Sequence, residues 1–211
     1  MSARVVCISR AIWVGAEEMA AEVANALGFR MVDEGIITRA AQSRGIDPAL
    51  VANAERRKSF FDQLMEDIGR GSELLGYLSD EQPAPTENEQ LRTLIRDAIG
   101  EAAQAGNVVI VAHAASFALG MREDVLRVLI TGSPFVRACR WLATSGGRSP
   151  EDAAETIRES DEARAEYLKR FYDIENESPE HYDLTVSTDV LTAAQAADLI
   201  VTAARLIGNR E

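Results

Sequence analysis

Cysteine and histidine are scarce, with two of each in 211 residues. No ordered Cys/His spacing appears, so neither a disulfide framework nor a zinc site is expected. Cys7 falls in a predicted strand and Cys139 in a predicted helix, and both read as buried, reduced thiols. No apolar run approaches the ~18 residues of a membrane span, and no cationic start precedes a short apolar stretch. A cytoplasmic protein without a membrane partner is therefore expected. Cationic side chains are in deficit: 22 Lys and Arg stand against 34 Asp and Glu, a formal charge of −12. Such a surface does not attract nucleic acid, although the arginines are clustered enough to build a local basic pocket. Neither a nucleophile elbow nor a dinucleotide glycine fingerprint is present.

What is present is an alternation of short apolar strands and amphipathic helices. Val5–Ile8 reads as a strand covered on both faces. Ala16–Leu27 carries Met19, Val23 and Leu27 at helical spacing, and Gly28 stops it. Phe29–Val32 is a second strand, ending at Asp33. Helical patterns follow over 34–44, 49–57, 60–68 and 72–78, before a proline-broken loop at 80–85. Thr86 begins a capping box, and its helix is predicted to run to about Ala105. Val108–Ala112, Val125–Thr131 and Tyr182–Thr188 are the remaining strands. Helices are predicted from Ala114 to Leu119, Ser133 to Thr144, Ser149 to about Tyr172, and Thr192 to Ile207. The expected fold is α/β: one domain over 1–211, a five-stranded parallel sheet with helices on both faces. A small helical lobe is expected at about 47–79.

Ligands bind beyond the carboxyl ends of such strands. Ser9-Arg10, Asp33, His113 and Gly132-Ser133 stand there. Each has a plainer reading: Arg10 pairing with a surface acid, Asp33 capping the next helix, His113 serving structure. Ala154, Ile157, Asp161, Arg164, Leu168 and Phe171 mark one face of the long helix, and Asp161 and Arg164 interrupt its apolar stripe. The two either pair with each other, one turn apart, or face a cleft. In the second case Arg158, Arg164 and Arg170 overhang a phosphate site, supported by Arg137 and Arg140.

The order of pieces resembles the cytidylate kinase-like family of P-loop nucleoside monophosphate kinases. They are Ile8-Ser9-Arg10; Val32-Asp33-Glu34-Gly35-Ile36-Ile37; Val108-Val109-Ile110-Val111; Leu126-Arg127-Val128-Leu129-Ile130; Ser133-Pro134 with Arg137-Ala138-Cys139-Arg140; Asp161, Arg164 and Tyr167; and Tyr182-Asp183-Leu184 with Ser187-Thr188. The resemblance implies phosphoryl transfer from ATP, with magnesium, to a CMP-like acceptor, and leaves a homodimer open. It further implies a lid at about 145–178 and, together with right-handed crossovers, strand one between strands three and four. It implies that Arg10, Gly15, Arg137 and Arg140 hold donor phosphates. Arg158, Asp161 and Arg164 act from the lid on the transferred group. Asp33, Arg39 and His113 bind the acceptor. No metal ligand is assigned.

The first loop departs from that family. Ile12-Trp13-Val14-Gly15-Ala16 stands where a glycine- and serine-rich segment is expected, and Glu17 and Glu18 occupy the following helical turn. A Cβ at 13, 14 or 16 is expected to obstruct the phosphate cradle, and the two carboxylates to repel its ligand. Ala112-His113 replaces a Gly-Arg pair after strand three. Two functions follow: a kinase impaired at its phosphate loop, or a non-catalytic relative that binds a nucleotide weakly or only a partner protein.

Overall fold

The structure, a computed structural model, describes residues 2–33, 87–112, 115–144 and 149–207. Five strands form one parallel sheet: β1 (Val5–Arg10), β2 (Arg30–Val32), β3 (Val108–Val111), β4 (Val125–Thr131) and β5 (Leu184–Ser187). Their spatial order is β2-β3-β1-β4-β5, so β1 lies between β3 and β4 as its sequence predicts. All carboxyl ends therefore lie at one edge. The described helices are α1 (Ala16–Leu27), α2 (Glu87–Gln104), α3 (Ala115–Leu119), α4 (Pro134–Thr144), α5 (Pro150–Tyr172) and α6 (Ala193–Leu206). The helical patterns within 34–78, the 80–85 loop and the expected lobe lie outside the described residues.

The strand pleat divides the core into two layers. Val6 and Ile8 pack with Met19, Val23, Ile200 and Val201 under α1 and α6. Val5 and Cys7 pack on the opposite face with Ile95, Ile99, Leu168 and Phe171 under α2 and α5. Both faces being covered explains why β1 reads as a continuous apolar run rather than an alternating one.

Helix ends follow local chemistry. Ser149 Oγ accepts from Asp152 N at 3.1 Å, and Asp152 returns the bond to Ser149 N. Thr192 and Gln195 do the same at α6. Gly28 ends α1 with φ at 68°, in the left-handed region. No heavy atom beyond its chain neighbours lies within 4 Å of a Cβ built there. Gly28→Ala is thus expected to cost about 1 kcal/mol of backbone strain alone, measured by urea unfolding. A loss above about 3 kcal/mol would mean that a contact, not the dihedral, sets this position.

Three expectations need correction. Cys139 is exposed, not buried. Helix α4 buries Arg137 and Trp141, and Cys139, two residues from each, lies on the other side of the helix. On α5 the buried stripe begins at Ala153 rather than Ala154, continuing through Ile157, Arg164, Leu168 and Phe171. Strand β1 also runs two residues further than expected, to Arg10, held by its pairing with Ile130 of β4.

Candidate functional site

The loop of residues 11–15 leaves the central strand and enters α1 at the sheet's carboxyl edge. Two of its residues are left-handed, Trp13 at φ 61° and Gly15 at φ 77°, with Val14 between them. Loops whose residues alternate between left- and right-handed conformations turn successive backbone N–H groups to one side, the geometry of anion-binding concavities. Ordinary hydrogen bonds to protein are absent, among the described residues, at the N–H of Trp13 and of Gly15 through Glu18. The first intrahelical bond is Met19 N–H to Gly15 O, at 3.3 Å. The loop thus presents a short run of backbone N–H groups without protein acceptors among the described residues.

The expected obstruction is narrower than the sequence suggests. Val14 and Ala16 are buried in the layer under α1 and do not line the open side. Trp13 remains, 39% exposed, in a conformation a non-glycine residue adopts only at a cost. Glu17 also remains, its carboxylate 2.9 Å from Arg10 Nη2. Arg10 is the nearest cation carried by the loop's own strand, and its Nε is buried with no partner among the described residues.

Three further arginines meet main-chain oxygens of the loop or of the strand end that leads into it. Arg137, 3% exposed, donates from Nε to Ile12 O at 2.8 Å and from both Nη atoms to the Asp161 carboxylate at 2.7 and 2.8 Å. Arg164, 7% exposed, donates from Nη1 to Arg10 O at 3.1 Å, and from Nε and Nη2 to Glu177 at 2.7 and 2.5 Å. Arg140 donates to Thr188 Oγ1 at 2.7 Å and Thr188 O at 2.6 Å, with a long contact to Trp13 O. Asp161 and Arg164 therefore do not pair with each other; each reaches across to the loop or its neighbour. Arg158 stands apart, exposed and bound to Glu155 and Glu162 of its own helix. Asp33 ends β2 at the same sheet edge, whereas Arg39 and His113 lie outside the described residues, as does the Arg170 side chain.

Sequence reasoning missed Glu177, which sits in an irregular stretch after α5 with no periodicity to mark it. Its burial alone would raise its pKa, but hydrogen bonding and charge from Arg164 outweigh this and hold it below the ordinary carboxylate value. Burial likewise works against the Arg164 charge, and Glu177 overcomes it, keeping that guanidinium above its usual value. Tyr182 donates its hydroxyl to the same Glu177 carboxylate. Burial is the first cause of its raised pKa, so it stays a donor at neutral pH. Ser9 and Ser116 hydrogen-bond each other at 3.3 Å, both buried.

A model of the cytidylate kinase-like family matches residues 5–190. The chain belongs to the cytidylate kinase-like family. A curated relative, cytidylate kinase of Pyrobaculum arsenaticum, is 30% identical over 114 residues, which is 54% of this chain and 61% of the relative. The match thus spans about three fifths of that relative's length. A crystal structure of an uncharacterized protein from Eubacterium ventriosum superposes with TM-score 0.62 at 14% identity, covering 94% of this chain and 96% of that one. Shikimate kinase from Bacteroides thetaiotaomicron gives 0.51 at 15% identity, covering 94% of each chain. TT1252 from Thermus thermophilus gives 0.52 at 13%, covering 96% and 98%. These likenesses establish a P-loop kinase-like fold.

Proposed function

We propose that this family member transfers a phosphoryl group from ATP to a nucleoside monophosphate, with a CMP-like acceptor, and does so slowly. One observation carries the reading: the N–H array of Trp13 and Gly15–Glu18, at the end of the central strand of a kinase-like sheet. Donors fixed by the backbone need no reorganisation when negative charge arrives, and transfer of this kind rests on positioning and charge stabilisation. Arg10 supplies the cation that a loop lysine would otherwise supply. The pairing of β1 with β4 keeps it at the loop's root.

Magnesium would arrive on the phosphates of the nucleotide. Among the described residues no three Asp, Glu, His or Cys side chains converge. The slowness follows from Glu17, which neutralises Arg10 and brings negative charge to the helix end that should welcome phosphate. A second reading, a scaffold without catalysis, is favoured by one observation: Arg137, Arg140 and Arg164 already have protein partners.

The test is ATP consumption with magnesium against CMP, UMP, AMP, GMP and dCMP, with nucleotide affinities measured by calorimetry. Turnover with a pyrimidine monophosphate above all others supports the kinase. Absence of turnover with every acceptor, together with no measurable ATP binding, supports the scaffold.

A further inference from the structure

We propose that Arg137 and Arg164 are positioning residues for the phosphate loop, fastening it from behind, Arg137 through Ile12 O in the loop and Arg164 through Arg10 O at the end of β1. This rests on the reading of that loop as an anion site but assigns these arginines a different task from touching phosphate. Each guanidinium is shared between a carboxylate and a main-chain oxygen, and that of Arg164 also reaches the Tyr182 hydroxyl at 3.5 Å. Arg137 gives two N–H groups to Asp161 of α5 and one to Ile12 O. Arg164 gives two to Glu177 and one to Arg10 O. The carboxylates fill the fork that a phosphate would otherwise enter, while a further N–H of each guanidinium holds a main-chain oxygen in the loop or at the strand end that leads into it.

The consequence for the loop is geometric. A trans peptide plane carries the carbonyl of one residue and the N–H of the next on opposite sides. Fixing Ile12 O toward Arg137 therefore turns the Trp13 N–H the other way, where it finds no protein acceptor among the described residues. A left-handed Trp13 sits just beyond, a conformation that persists only where its surroundings over-determine it. Arg137 on one side and the long Arg140 contact on the other provide that determination. Glycines would let a loop take this shape freely. Here a charged brace from α4 and α5 imposes it on bulkier residues. Arg158, exposed and tied to its own helix, takes no part.

The experiment measures backbone order in the full-length protein by 15N relaxation, with Arg137→Lys, Asp161→Ala and Arg164→Lys compared with wild type. Lysine keeps the charge but cannot serve two partners at once. In the wild type, the Trp13 and Gly15 amides are expected to be as ordered as those of α1, near ~0.85. In Arg137→Lys and Asp161→Ala they are expected to fall below ~0.6, with α1 unchanged. Inorganic pyrophosphate, titrated by calorimetry, should bind about tenfold more weakly to Arg137→Lys. The proposal is overturned if the wild-type loop is already disordered, or if the loop stays ordered in both Arg137→Lys and Asp161→Ala, whatever happens to affinity. Should Arg164→Lys fail to fold, the other two variants still decide. Failure of every acceptor in the turnover panel would count against the kinase and leave the relaxation result standing.

Discussion

Arg164→Met is expected to destabilise the protein by about 3–5 kcal/mol, the cost of leaving one member of a buried pair without the other. Methionine keeps most of the apolar stem, so the loss reports the charge rather than a cavity. Glu177, with 19% of its side chain exposed, then loses its main partner and keeps the Tyr182 hydroxyl and the weaker influence of His181. The pH dependence carries its own sign. Because the folded-state pKa of Glu177 is depressed, its contribution is fully present above about pH 4.5 and is lost as pH falls through the lowered value. In Arg164→Met that carboxyl gains stability on protonation, so the gap between variant and wild type should narrow as pH drops toward 4. Urea unfolding at pH 7 and pH 4 measures both quantities. Adding Glu177→Gln to Arg164→Met should restore more than half of the loss. A loss under about 1 kcal/mol, of the size found for exposed pairs, would refute a buried, coupled pair.

The second large effect concerns ligand affinity. Glu17→Gln is expected to tighten ATP binding about tenfold, or ~1.4 kcal/mol. Opposed unit charges ~4 Å apart are worth about 4 kcal/mol at an effective dielectric of 20. The Glu17 side chain is 63% exposed, so solvent screens much of that. The substitution also frees Arg10, which otherwise spends its Nη2 on this carboxylate. Trp13→Gly in the same background should tighten binding further, because glycine takes φ 61° without strain and removes the indole. Ala16→Gly is not a useful partner: Ala16 is buried against α1's core layer, and glycine would only loosen the helix start. Calorimetry with ATP and magnesium reads these effects. Micromolar binding by the wild type that neither substitution improves would show that the loop already works as it stands.

The sheet was legible because its signals are local. The unbroken apolar run of β1, the glycine after Leu27 and the Ser149–Asp152 box each act within a few residues, and the chain obeys them. The site was legible only in outline. That Asp161 and Arg164 break the stripe of α5 could be read from spacing, but their partners are set by packing over long separations. Arg164 finds Glu177, which no periodicity marks, and Asp161 finds Arg137 on another helix. The loop was legible in part for a related reason. A residue's type says that a Cβ exists at Val14 and Ala16; only the packing shows both side chains turned into the core.

The contrast between the two thiols has a practical use. Cys7 lies wholly inside the sheet, with burial pushing its pKa up to about 12, whereas Cys139 stands open on α4. A maleimide dye added to the native protein will therefore attach at a single place, with no cysteine to remove beforehand. That place shares an apolar hollow with Ile157, Arg158 and Asp161 of α5. One label on unmodified protein thus gives a reporter on the helix pair whose arginines grip the loop, and its emission will register any ligand that slackens or tightens that grip.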